Sequence, residues 1–169
     1  MFERISNPAV IEFIGRNYQA DERGRWFFQN GPQRVFVTLE AAPLVYRLRG
    51  GAAAGGSAAF EAHTGAGARE LRGAWLDESG RLLVETELGP GVVLDRDLQA
   101  VERCIEDDTG APLSEAAFDA LAAGAPEAPG AFLALGAARV PIGRLASAEL
   151  ARRFGFDADP RPAPGEPEC

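Results

Sequence analysis

Residues 26–37 read WFFQNGPQRVFV, two aromatic- and valine-rich runs on either side of Asn30-Gly31. Aromatic and β-branched side chains favour a pleated, packed surface, and Asn-Gly between such runs is the strongest short-range hairpin signal. The segment commits this part of the chain to antiparallel sheet. Pro32 modifies the turn. The residue after a two-residue Asn-Gly turn must donate the closing hydrogen bond, and proline has no N–H. A four-residue loop over 30–33 is therefore predicted. It pairs Phe28 with Val35 and Trp26 with Val37 on one face, taken as the core face. Phe27 then pairs with Phe36, and Gln29 with Arg34, on the other.

The rest of the chain continues in short elements. Asn7-Pro8 starts a helix over about 8–18, with Val10, Ile11 and Ile14 on one apolar stripe. Residues 44–49 alternate, placing Leu44, Tyr46 and Leu48 on one face and Val45, Arg47 and Arg49 on the other. A Gly/Ala loop at 50–57 leads to a return strand over 58–63 with Phe60 inward. A second hairpin joins 71–76 to 81–87. A four-residue loop over 77–80 would set Trp75 against Leu82 inside and Arg72 against Glu85 outside. Asp95 caps a helix carrying Leu98, Val101 and Ile105. Ser114 caps another, 132–135 and 139–142 form a third hairpin, and a last helix over 147–154 stops at Gly155.

These elements give a β-rich α+β class: about nine short strands built from hairpins, in a mostly antiparallel sheet that is curled or split, with three or four short helices. The 169 residues fit a single globular domain over 1–156, with 50–57 as the place where two β subdomains would meet. Residues 157–169 carry four prolines and four acids and lack an apolar pattern, so a disordered acidic tail is predicted.

The inventory excludes more than it assigns. All 17 basic residues are arginine, so lysine chemistry and the phosphate-binding loop that needs a lysine are out. His63 is the only histidine, and Cys104 and Cys169 stand far apart, which argues against a zinc or redox centre. A net charge of −8 argues against nucleic acid. The N-terminus lacks a secretory pattern and no apolar run is long enough to span a membrane, so a cytoplasmic protein without a membrane partner is expected.

Each candidate site meets a simpler explanation. His63 shares a strand face with Glu61, near Arg47 and Arg49 if the two strands pair, an arrangement able to do acid–base chemistry. A solvated polar face at the end of a strand is the favoured reading. The glycines at 50–57 and 65–67 lack the lysine and the following helix of nucleotide loops. Glu102, Glu106, Asp107 and Asp108 crowd a predicted helix end as hard-cation ligands would, or as solvated acids would. Cys104 adjoins the apolar stripe and reads as a small core residue. Phe27, Phe36, Arg47 and Arg49 remain as a candidate interaction surface, since aromatics and arginine are enriched at interface cores.

Residues 15–40 resemble the start of an uncharacterised family of small proteobacterial proteins, a domain of unknown function. The resemblance is carried by Trp26, Phe27, Phe28, Gln29, Asn30, Gly31, Pro32, Gln33, Arg34 and Val35, and more loosely by 94–98, 140–142 and 154–156. It implies a grouping without an activity, cofactor or catalytic residue. The leading expectation is a non-catalytic interaction module acting through a sheet surface, with a second copy or an unidentified protein as partner and no cofactor. The alternative is an anion-binding domain using Arg47 and Arg49. The third is a hydrolase with His63 as base.

Overall fold

The structure, a computed structural model, describes residues 6–49, 60–125 and 128–165. It divides into two compact units: residues 1–40 with 151–169, called the terminal unit, and residues 41–150, the central unit.

In the terminal unit α1 spans Pro8–Asn17, its first turn closed by Asn7 Oδ1, which accepts the Ala9 N–H at 2.9 Å. β1 (Tyr18–Ala20), β2 (Trp26–Asn30) and β3 (Gln33–Phe36) follow as an antiparallel meander. The hairpin pairs Phe28 with Val35, Phe27 with Phe36 and Gln29 with Arg34, as the alternation predicts. Pairing extends one step further to Asn30 and Gln33, leaving Gly31-Pro32 as the turn, so the proline causes no loss of ladder. Gly31 takes φ +57°, and the Gln29 amide donates to the Gly31 carbonyl at 2.7 Å across the turn. The core face is the reverse of the expected one. Phe27 is buried, whereas Trp26 and Phe28 are half-buried beside Tyr18 and Val35 is exposed.

The disordered tail expected from residue 157 does not describe residues 157–165. Asp157 N–H donates to the Gly24 carbonyl at 2.9 Å, Leu39 N–H to Ala158 at 2.8 Å, and the Arg25 guanidinium to the Arg161 carbonyl at 2.9 Å. Pro160 is buried. Composition reads burial of side chains, and here the order comes from backbone carbonyls, which every residue carries.

The central unit holds β4 (Leu44–Leu48), β5 (Phe60–Ala62), β6 (Gly67–Ala68), β7 (Leu71–Leu76), β8 (Leu82–Thr86) and β9 (Gly89–Val93). It continues with α2 (Asp95–Glu102), β10 (Ile105–Glu106), α3 (Glu115–Ala123), β11 (Phe132–Leu135) and β12 (Ala138–Arg144); α4 (Leu150–Phe154) begins at its last residue. Its strands form one curled nine-stranded sheet in the order β10-β11-β12-β7-β8-β9-β4-β5-β6. Among the described strands only β12 with β7 and β4 with β9 run parallel. The registers put Leu44, Tyr46, Phe60, Ala62, Val84, Val93, Ala74 and Ile142 on one face, and all are buried. Tyr46 is central. Its hydroxyl donates to the Gly89 carbonyl at 3.0 Å and meets the Thr86 hydroxyl at 2.7 Å, and its ring lies over Gly91, where a Cβ would be 2.5 Å from Cε2.

The second hairpin departs from the expected register. Leu76 pairs with Leu82 and Trp75 with Leu83, with a bulge at Leu71/Gly73. Asp77 N–H donates to the Arg81 carbonyl at 3.2 Å, so the loop is the three residues 78–80: Gly80, at φ +76°, turns the chain left-handed while Asp77 Oδ1 accepts the N–H groups of Ser79 and Arg81. Trp75 therefore leaves the Tyr46 face and lies against Gly73 and Gly143 on the other. The same turn closes two further places. Asp21 Oδ1 holds the N–H groups of Arg23 and Arg25, and Asp107 Oδ1 those of Thr109 and Ala111, with Gly24 and Gly110 at positive φ. The helix after β9 also ends early, at Glu102, and Ile105 belongs to a strand.

Candidate functional site

The alternation of β4 decides what the sheet offers outward. With Leu44 and Tyr46 buried, Arg47 and Arg49 fall on the opposite face, and β5 pairs antiparallel so that Glu61 stands directly across from Arg47. Glu61 is only 7% exposed. Its Oε1 accepts from the Arg47 guanidinium and its Oε2 lies 3.0 Å from Arg49 Nη2, so one buried carboxylate gathers two guanidinium groups. Each guanidinium meets Glu61 through a single nitrogen and about half of each side chain stays exposed, which leaves further N–H donors facing solvent.

The start of α2 joins this group. The parallel pairing of β4 with β9 brings Leu94 N–H to the Tyr46 carbonyl at 2.9 Å. Asp97, in the first turn, accepts the Leu48 N–H on Oδ2 at 2.9 Å. Arg96 thereby stands over the end of β4. Arg47, Leu48, Arg49, Arg96 and Asp97 line an open pocket of about 400 Å³. Three guanidinium groups and two carboxylates leave the site with an unbalanced positive charge in a chain of net charge −8.

His63 does share the outward face of Glu61, as expected. Its backbone N–H donates to the Val45 carbonyl at 2.8 Å, and its ring Nδ1 accepts the Val45 N–H at 3.1 Å. Partial desolvation pushes its pKa below the usual histidine value although the residue keeps exposed surface, and a nitrogen that accepts an amide proton also favours the neutral form. That bond makes His63 a clamp on the β4–β5 pair.

Phe27 and Phe36 do not form an outward patch. Phe27 is 2% exposed and meets Phe36 edge-on at 5.8 Å, with Arg34 over Phe27 at 4.6 Å and Arg25 over Phe36 at 4.7 Å. This pair belongs to the terminal unit, and Arg47 with Arg49 to the central one. A second open pocket, of about 480 Å³, is lined by Arg23, Arg25 and Arg34 with Asp21, Glu22, Ala20 and Ala163. There Arg25 is buried and its guanidinium is held by Asp21 and the Arg161 carbonyl.

The remaining candidates resolve into structure. Asp107 closes its turn, and among the described residues no group of three or more His, Cys, Asp or Glu is placed to hold a metal ion. Gly65 sits in a tight turn and Gly67 begins β6, so no helix follows them as a nucleotide loop requires; the 50–57 loop lies outside the described residues. Cys104 has its thiol pKa raised, by burial and then by Glu106, the opposite of an activated nucleophile. No helix among the described residues is long and apolar enough to cross a membrane. Arg96 and Asp97 are the site residues that sequence reasoning missed, because only the β4–β9 pairing brings them to β4.

A family model described as a protein of unknown function (DUF2946) matches residues 1–161, in keeping with the resemblance carried by the first hairpin. No curated protein and no solved structure matches the chain.

Proposed function

The chain belongs to this family of proteins of unknown function, and we propose from its geometry that it is a non-catalytic binding module that recognises an oxyanion through Arg47, Arg49 and Arg96. One observation carries this reading: buried Glu61 holds Arg47 and Arg49 side by side at an open pocket, with donors to spare. Preorganised guanidinium groups cost less to order on binding than free ones. The test is an amide-resolved NMR titration with inorganic phosphate and glutarate. Saturable shifts at residues 47–49 and 96–97, with a Kd of about 1 mM or tighter, are expected. Arg49→Gln with Arg96→Gln, which keeps the Arg47–Glu61 pair, should weaken binding tenfold or more. Shifts that never saturate, or that ignore these substitutions, would refute it.

A second reading, self-association, draws on a different surface. α1 buries no side chain, and Val10, Ile11 and Phe13 are 42, 48 and 37% exposed. Solvent-facing apolar residues on one short helix suit a second copy of the chain better than water. Sedimentation of the wild type beside Ile11→Glu checks this: a concentration-dependent dimer that the variant loses supports it, and a strict monomer ends it.

A further inference from the structure

The arginine pocket has a negative wall as well as a positive one. Asp97 uses Oδ2 for the Leu48 N–H, while among the described residues Oδ1 has only Arg96 Nε at 3.8 Å, beyond hydrogen-bond distance. Its side chain is 21% exposed, and it lines the same cavity as Arg47 and Arg49. A ligand that is purely anionic would lie against this oxygen and be repelled by it. One that also carries an ammonium group would place its acid on the guanidinium groups and its cation on Asp97.

Glu61 limits the alternatives. Its oxygens are committed to Arg47 and Arg49, and drawing both away would strand a buried carboxylate. The incoming acid therefore shares the outer N–H groups and leaves the internal pair in place. Asp97 is then the acceptor within the pocket available to a ligand's cation.

We propose that the ligand of this site is a small zwitterion of the amino-acid class, bound by its carboxylate to Arg47 and Arg49 and by its ammonium to Asp97. This rests on the oxyanion reading above and adds the second recognition element. About 400 Å³ accommodates a molecule of that size.

L-Glutamate and glutarate differ by the amino group alone, so they separate the two ideas. A site that reads only negative charge binds the dianion glutarate at least as well as glutamate. The proposal expects glutamate to bind at least tenfold tighter in calorimetric or NMR titration of the full chain. It expects Asp97→Asn, whose amide oxygen still accepts the Leu48 N–H, to erase that preference while glutarate binding holds or improves. Glutarate binding as tightly as glutamate, or a preference that survives Asp97→Asn, overturns the zwitterion and leaves the oxyanion reading standing. Phosphate bound without either amino-acid analogue does the same. No saturable binding of phosphate, glutarate or glutamate removes both.

Discussion

Gly91→Ala should be among the most damaging single-methyl additions in this protein. The new Cβ would lie 2.5 Å from Tyr46 Cε2 and 2.8 Å from the Leu44 carbonyl oxygen, closer than carbon packs to either. The ring has nowhere to go. Tyr46 is fully buried, and its hydroxyl is fixed between Thr86 at 2.7 Å and the Gly89 carbonyl at 3.0 Å. Burial also pushes its pKa up to about 12, with the Thr86 bond working against that rise, so the phenol stays protonated as a donor. Overpacking a tight core costs about 1–3 kcal/mol, and disturbing a buried hydroxyl pair adds about 1–2 kcal/mol. The unfolded chain gives back roughly 0.4–1 kcal/mol, because alanine has less freedom to lose than glycine. The net loss is about 2–4 kcal/mol. At roughly 2–4 °C per kcal/mol for a chain of this length, the thermal midpoint should fall by at least about 4 °C. Circular dichroism and calorimetry would measure it. Tyr46→Leu with Gly91→Ala should lose less than the two single changes combined, since leucine vacates the space that the methyl needs. A midpoint within about 2 °C of wild type, or strictly additive losses, would refute the reasoning.

Asp77→Ala removes the acceptor for two backbone N–H groups and the Arg81 guanidinium at a residue with no exposed surface, and should cost about 2–4 kcal/mol by urea titration. Burial works to raise the Asp77 pKa, but the bonds from Arg81 and Ser79 outweigh it and lower the value. Its contribution is therefore complete above the unfolded carboxylate range and lost as pH falls through the lower folded value. His63 has the opposite charge and a lowered pKa, so the unfolded chain takes its proton first. The stability from neutral His63 should be complete above about pH 6.5 and decline as pH falls below it, a dependence that His63→Asn should flatten in denaturant titrations between pH 7.5 and 5.5. Deleting residues 157–169 should lower the midpoint of the terminal unit by several degrees, since it removes partners of Gly24, Leu39 and Arg25; an unchanged midpoint would return that segment to the status of a loose end.

Local pattern carried the reading as far as local forces reach. The Phe27–Phe36 pairing and the Arg47/Glu61/His63 face follow from period-two alternation, which needs no knowledge of the rest of the chain. Which face of the first hairpin is buried does not follow, because both faces are apolar and the choice is made by what packs on them. The second hairpin slipped by one residue for a different reason. Asp77 folds its carboxylate back onto the turn, a bond that counting loop residues cannot reveal. Arg96 and Asp97 reach the pocket only through a parallel pairing between strands more than forty residues apart, and no window of sequence contains that information.

The terminal unit is assembled from both ends of the chain, residues 1–40 and 151–169, and the continuous central unit lies between these segments in sequence. On a ribosome this imposes an order. At about 5–20 residues per second, roughly 6–22 s separate the emergence of residue 40 from that of residue 151. Throughout that interval Leu39 and Arg25 lack the carbonyls of Ala158 and Arg161, while the central unit gains its last strand and can close. Synthesis should therefore complete the arginine pocket first and the WFFQNGPQRVFV hairpin's surroundings last. Nascent chains arrested once residue 150 has left the ribosome should already protect the central unit from protease and leave the N-terminal forty residues open to it.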